Sequence, residues 1–270
     1  MIKSIIKRIL KLFFGLSIPN QSVNYFKTFV FNYIAFGWKG VVKLPVLIYG
    51  NTKLYSIGKI VINCELKKGL LSIGQYDCKS QGITKFLNFG EIIIDGYVEI
   101  GGCSIIENSG KILFKGYNRV ADGSCLFIRD KFVMGEQSRI GFHSLVMDSD
   151  DHFTIDINDK SVHRNTKPII IGKYNWLASN TFIKKGVITP DYLIVASNAL
   201  LIKDYSSLAP YSVIGGVPAK LLKSGVRRIY NIHTEYLLLD YFKAHVKEDK
   251  FFFGDEENLE SLCKQHTSKF

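Results

Sequence analysis

The sequence lacks most of the features that would place it quickly. Its five cysteines (Cys64, Cys78, Cys103, Cys125 and Cys263) are scattered, odd in number and without a CxxC pair. They read as buried apolar residues of a reducing compartment and not as a disulfide frame. No long hydrophobic run is present: the longest near the start, Leu12 to Ile18, is far too short to cross a bilayer. It has no small-residue cleavage site, so no signal peptide is expected. Acids are short, 24 against 35 basic residues, for a formal net charge of +11. That favours phosphates, an anionic membrane surface or nucleic acid as partner. RNA-binding aromatic signatures and zinc-finger spacings are both missing, so nucleic acid is not expected.

What is there is a period of six. Between 171 and 201 every sixth residue is Ile171, Leu177, Ile183, Thr189, Val195 and Leu201. Four places after each stand Asn175, Thr181, Val187, Leu193, Ala199 and Tyr205, mostly small or β-branched. Neither an amphipathic helix nor one alternating strand has this period. A chain that turns a corner every six residues does, with one aliphatic side chain per side entering a narrow triangular core. Three hexads close a coil, and stacked coils bury what one coil cannot. The beat recurs at Ile128, Met134, Ile140 and Val146, with Ser138 and Ser144 in the small places. Earlier it runs through Ile94, Ile100, Ile106 and Ile112, then slips by two, so the early coils are expected to be irregular with long corners. The fold class expected is an all-β solenoid.

Three regions follow. Residues 1–50 form an amphipathic helix and an aromatic cap, 51–222 the solenoid, and 223–270 a helical tail. In residues 2–14 one helical face carries Ile2, Ile5, Ile6, Ile9, Leu10 and Phe13, and the other Lys3, Lys7, Arg8 and Lys11, with no acid. Such a helix suits peripheral contact with an anionic membrane, or else packs on the rest of the chain. Between 147 and 168 the period vanishes into a polar loop, and a long loop inside a compact repeat points to function.

The motifs here carry a resemblance. Residues 171–204 read IGKYNWLASNTFIKKGVITPDYLIVASNALLIKD, and GGVPAK follows at 215–220. With Trp176, Lys203-Asp204 and Pro218-Ala219-Lys220 in register, residues 128–223 resemble the hexapeptide-repeat acyltransferases, in particular the sugar O-acetyltransferases of capsule and O-antigen. Ala178, Asn180, Pro190, Ala196 and Asn198 stand where that family has glycine. The resemblance implies a left-handed parallel β-helix, a homotrimer with the donor groove between neighbouring subunits, acetyl-CoA as acyl donor, a sugar or glycan acceptor and no metal. The location expected is the cytoplasm, with the helix of residues 2–14, where it meets a membrane, holding the enzyme to the inner face on which lipid-linked glycans are built.

The same resemblance supplies roles. Met147-Asp148-Ser149-Asp150-Asp151-His152 matches the loop motif that holds the family's catalytic histidine. A sugar hydroxyl is a poor nucleophile, and the neutral imidazole of His152 would take its proton. Asp148 or Asp150 would orient the ring or hold the sugar. His163, in the same loop, serves as a control. Ser179 and Ser197 fall where the family's backbone meets the pantetheine arm, with Ile202 and Lys203 at the next contact, and a backbone N–H near Ser179 would face the oxyanion. Lys220 and Lys223 fall near the adenosine phosphates, where lysine is a compact phosphate partner. Three other readings remain beside this one. An N-acyltransferase of amino-sugar nucleotides shares the motifs, and a purely structural solenoid needs none of them. A zinc carbonic anhydrase of the same fold needs closely spaced histidines, whereas His143, His152 and His163 lie nine and eleven apart.

Overall fold

The computed structural model describes residues 22–75, 82–254 and 257–264. Residues 2–14 and Cys78 lie outside them. The chain is a parallel β-helix, the solenoid that the hexad requires, of the left-handed kind that the resemblance implies. Among the described residues its walls are a nine-stranded, a seven-stranded and a five-stranded sheet, here called first, second and third. Every ladder is parallel except the last, where Lys220–Lys223 folds back antiparallel on Val213–Gly215. Aliphatic residues stack down the interior: Ile100, Val120, Ile140, Leu177, Val195 and Ile214 on the first wall are at most 1% exposed. Burying each such side chain is worth about 1.5–3 kcal/mol, so a coil is held mainly by its neighbours above and below.

The first coils are irregular, as expected: Leu54 pairs with Phe86, thirty-two residues on, and Leu71 with Val98, twenty-seven on, each ladder with a register shift. From Phe86 onward they are not. Phe86, Ile106, Leu126 and Val146 pair in sequence at a constant interval of twenty residues. Ile183 and Leu201, further on, pair at eighteen. The slip of two is therefore a second coil length. The extra pair lengthens the second wall by one inward position, filled by Asn88, Asn108, Ile128 and Asp148 in successive coils, all 0% exposed. Asn108 Nδ2 donates to Asn88 Oδ1 at 2.7 Å, so the polar members satisfy each other.

At two of the three corners the turns are compact because one residue takes a left-handed conformation. At one corner this residue is Tyr174, Tyr192 or Tyr211, with φ of 53°, 60° and 67°. An L-residue pays about 1–2 kcal/mol for it, and the rings offset this by stacking at 5.2 and 5.1 Å. At the next corner Asn180 and Asn198 (φ 59° and 60°) take the place, which asparagine tolerates better than most. This is how the chain does without glycine there.

Helix α1 (Tyr25–Lys43) covers the open first coil. Thr28 Oγ1 accepts from Ile48 N, and the Asn32 side chain brackets Val46 by accepting from its N and donating to its O. The unpaired edge of the solenoid is thus closed. The opposite face of α1 leaves Phe26, Tyr33, Ile34, Trp38 and Val42 exposed. No helix among the described residues is long and apolar enough to cross a membrane.

The C-terminal segment runs extended through 226–231 before helix α2 (Ile232–Ala244), so the apolar spacing over 226–246 is helical only in part. Tyr230, 5% exposed, anchors the segment to the first wall, with its hydroxyl donating to Asn175 O at 3.2 Å. Burial pushes its phenol up to about 12, against the opposing pull of Arg228 and Arg139. The unfolded phenol titrates near 10. Its folded value is raised, so its contribution is complete below about pH 10 and lost as pH rises to about 12, a swing of about 2–3 kcal/mol. In urea titrations the stability gap between the protein and Tyr230→Phe should shrink across that window. A gap that does not change with pH would refute burial as the cause.

Candidate functional site

The ladder of the second wall takes its longest detour after Val146. Val146 pairs with Ile183, thirty-seven residues on, and the excess is the loop predicted from the lost period. Its entry is fixed to the coil beneath it. Asp148 is 0% exposed, and its carboxylate accepts from the main-chain amides of Arg129, Asp130 and Lys131, each at 2.8 Å. Burial pushes its carboxyl up, while these amides pull it down. Asp150 pairs with Lys185, and Asp151 Oδ1 lies 3.5 Å from Arg129 Nε. Ser149 and Thr166 bridge antiparallel, as do Ile155 and Val162, so the loop rises as an open hairpin. Phe153, Ile155, Ile157 and Val162 are exposed along it.

His152 stands at the head of this loop, exposed, with its main-chain N donating to Asp150 O at 2.7 Å. Neither Asp148 nor Asp150 is hydrogen-bonded to its ring. Asp148 is engaged by the amides of the coil and Asp150 by a lysine, so within one chain they position the loop that carries the histidine. His163 is also exposed on the loop.

A second set of residues gathers where the first wall turns into the second. The turn residues Asp122, Phe142 and Ser179 accept in order from His143 N, Asn180 N and Asn198 N, so each turn sits on the one before it. Gly141, Ala178, Ala196 and Gly215 precede them in a column of small residues, packed until a Cβ on Gly141 would come within 2.6 Å of Ser179 N. Beside this column lies a cavity of about 270 Å³, lined by Arg119, Arg139, Phe142, Trp176, Ser179, Ser197 and Arg228 among others. Arg119, Arg139 and Trp176 face one another across adjacent strands, and Arg228 reaches in from the C-terminal segment, its guanidinium 4.7 Å from the Trp176 ring. Burial and the neighbouring arginines lower the pKa of Arg139.

The structure therefore brings Ser179 and Ser197 into one cavity. Ile202, Lys203, Lys220 and Lys223 are exposed further toward the C-terminal end, outside it. His152 does not line it either. The turn column has the shape for an extended arm: small side chains and accessible main chain, with exposed lysines at its far end. The arginines escaped the hexad reading. Arg119 and Arg139 are twenty apart, and only the longer coil period shows that both point outward from the same place. Among the described residues no group of three or more His, Cys, Asp or Glu is placed to hold a metal ion.

No family model matches the chain. Over 104 residues, 37% of this chain and 54% of the other, it is 38% identical to a probable macrolide acetyltransferase of Lysinibacillus sphaericus. The chain thus spans about half the length of this curated relative. Among solved structures it is similar to the polySia-specific acetyltransferase NeuO, with 16% identity, 75% of this chain and 99% of that one covered, and a TM-score of 0.46. It is also similar to a variant of the N-acyltransferase AntD of Bacillus cereus in complex with dTDP-4-amino-4,6-dideoxyglucose and coenzyme A. There the identity is 15%, 77% of this chain and 94% of that one are covered, and the TM-score is 0.44.

The two aspartates should separate in a stability measurement. Asp148→Ala strands three amides and should cost at least about 2–4 kcal/mol in urea unfolding. Asp150→Asn loosens only a surface pair, worth about 0–1 kcal/mol. An Asp148→Ala protein as stable as the parent would show that those contacts do not hold the loop.

Proposed function

We propose that the chain is a hexapeptide-repeat acyltransferase that moves an acetyl group from acetyl-CoA to a sugar hydroxyl of a cell-surface polysaccharide. One observation carries the reading. The coil ladder takes its longest detour between Val146 and Ile183, and there a loop pinned by three aspartates holds His152 out from the wall. A structural solenoid has no use for that arrangement. The 38% identity over 104 residues with a probable macrolide acetyltransferase supports the acyl transfer.

The donor supplies an activated thioester; the chain supplies placement and a base. Ser179 and Ser197 lie along the column of turns that would hold the pantetheine arm, and Lys220 and Lys223 stand where its phosphates would end. His152, exposed on the loop, takes the proton of the acceptor hydroxyl as the oxygen attacks the thioester carbonyl, and coenzyme A leaves as its thiol. Asp148, Asp150 and Asp151 keep the loop in place for that transfer. Since His152 and the cavity of Ser179 do not meet in one chain, the working unit is proposed to be a homotrimer, with the histidine of one subunit facing the turn column of the next.

His152→Ala should keep the fold, the trimer and coenzyme A binding, and lose about 10²–10⁴-fold in turnover, while His163→Ala should change little. The assay is release of coenzyme A from acetyl-CoA with hydroxyl-only and amino sugars as acceptors. Normal turnover by a folded His152→Ala protein, or by a monomer in sedimentation, would sink the mechanism. Release with amino sugars alone would favour the N-acyl reaction.

The enzyme is further proposed to work in the cytoplasm, against the inner membrane face. No Asp or Glu precedes Glu65, whereas nine Lys and Arg do. Each basic residue near an anionic surface is worth about 1 kcal/mol. Deleting residues 2–14 should weaken co-sedimentation with anionic liposomes, and unchanged co-sedimentation would remove the role assigned to them.

A further inference from the structure

The arginines of this cavity have no part in the chemistry described so far, although Ser179 and Ser197, which line it too, lie along the donor column. The cavity lining holds three guanidiniums, Arg119, Arg139 and Arg228, and no acid. Arg119 and Arg139 are direct neighbours on adjacent strands, where like charges destabilise a sheet. Acids do stand nearby. Glu99 Oε1 is 3.8 Å from Arg119 Nη2, Asp122 accepts from Gly102 N at 3.2 Å, and Glu235 on α2 acts on Arg139. None of them faces the cavity. Burial holds the Glu99 carboxyl above its usual range, against the opposing pull of Arg139. Two arginines are held by aromatic rings as well: Arg139 lies 5.3 Å and Arg228 4.8 Å from the centre of the Tyr230 ring.

Position along the solenoid says which molecule the charge serves. Lys220 and Lys223 lie on the last strand, at the C-terminal end. From there the turn column descends through Ser197 and Ser179 to Phe142, the first bulky residue in that place, 37% exposed. The arginines of the wall sit in the coils of Phe142 and Asp122, at the opposite end from those lysines. A donor laid along the column would bring its acyl tip, and not its phosphates, to them. We propose that this cavity binds the carboxylate or phosphate of the acceptor, so that the acceptor is an anionic sugar. The inference rests on the acyltransferase reading for the direction in which the donor lies. Guanidinium groups fit either oxyanion through paired N–H bonds, and 270 Å³ leaves room for little more than one sugar unit.

The test is binding of glucuronate, glucose 1-phosphate and glucose to the full chain by ligand-observed NMR, with coenzyme A affinity measured separately by calorimetry. One or both anionic sugars should bind and glucose should not, and which of them binds tells carboxylate from phosphate. Arg228→Gln should weaken that binding about tenfold or more, Arg228→Lys less, with coenzyme A affinity unchanged in both. Arg228 lies on a surface segment, and thermal melts check that the variants fold. Equal binding of glucose, or binding that survives Arg228→Gln and Arg139→Gln together, would overturn the proposal. So would a loss of coenzyme A affinity in the arginine variants, which would assign the arginines to donor phosphates. If the chain binds no coenzyme A but still binds an anionic sugar through these arginines, the acyltransferase reading fails and the anion site stands.

Discussion

Everything in this molecule depends on the hydrogen bonds between one coil and the next. They fix the coils at about 4.8 Å, so each residue is stacked on the residue one coil away. An isoleucine then finds an isoleucine, and the interior fills without any long-range design. The same rule makes polar positions demanding, because a buried asparagine must meet a partner in the next coil or lose its hydrogen bonds. Asn108 meets Asn88. Asn175 accepts from Leu193 N and donates to Thr189 Oγ1, joining two successive turns of one corner.

Stacking also explains how chemistry is arranged on the surface. A solenoid displays its outward residues as straight ladders, so a functional surface is written at intervals of one coil and not in adjacent residues. Glu99, Arg119, Arg139 and Trp176 form one such ladder. Ser179 and Ser197 belong to another. The loop of His152 departs from a different corner, where the second wall turns into the third.

The sequence made the inner surface legible because aliphatic residues at a fixed period admit one explanation. It showed the loop as well, as the place where the period stops. It hid the difference between coils of twenty and eighteen residues: Ile112 and Phe114 are both buried, so a count by six finds an inward residue either way and registers only a slip. The arginine cluster was hidden for the same reason, together with Arg228, which arrives from a segment with no place in the repeat. Asp148 looked like a partner for His152 because it is four residues away. Its burial, which only the coil beneath it reveals, turns its carboxylate inward onto three amides.

The change of coil length has a consequence of its own. Coils of twenty and eighteen residues have different cross-sections, so the stack contains the equivalent of a dislocation, one row of the wider lattice ending inside the solid. The row is Asn88, Asn108, Ile128 and Asp148, and it ends at Asp148. A terminated row leaves main-chain amides without the layer that would have covered them, and a carboxylate that accepts three of them closes the defect. The long loop leaves from the same point. Extra chain can emerge there without wedging apart two matched layers, because the layers on either side no longer match.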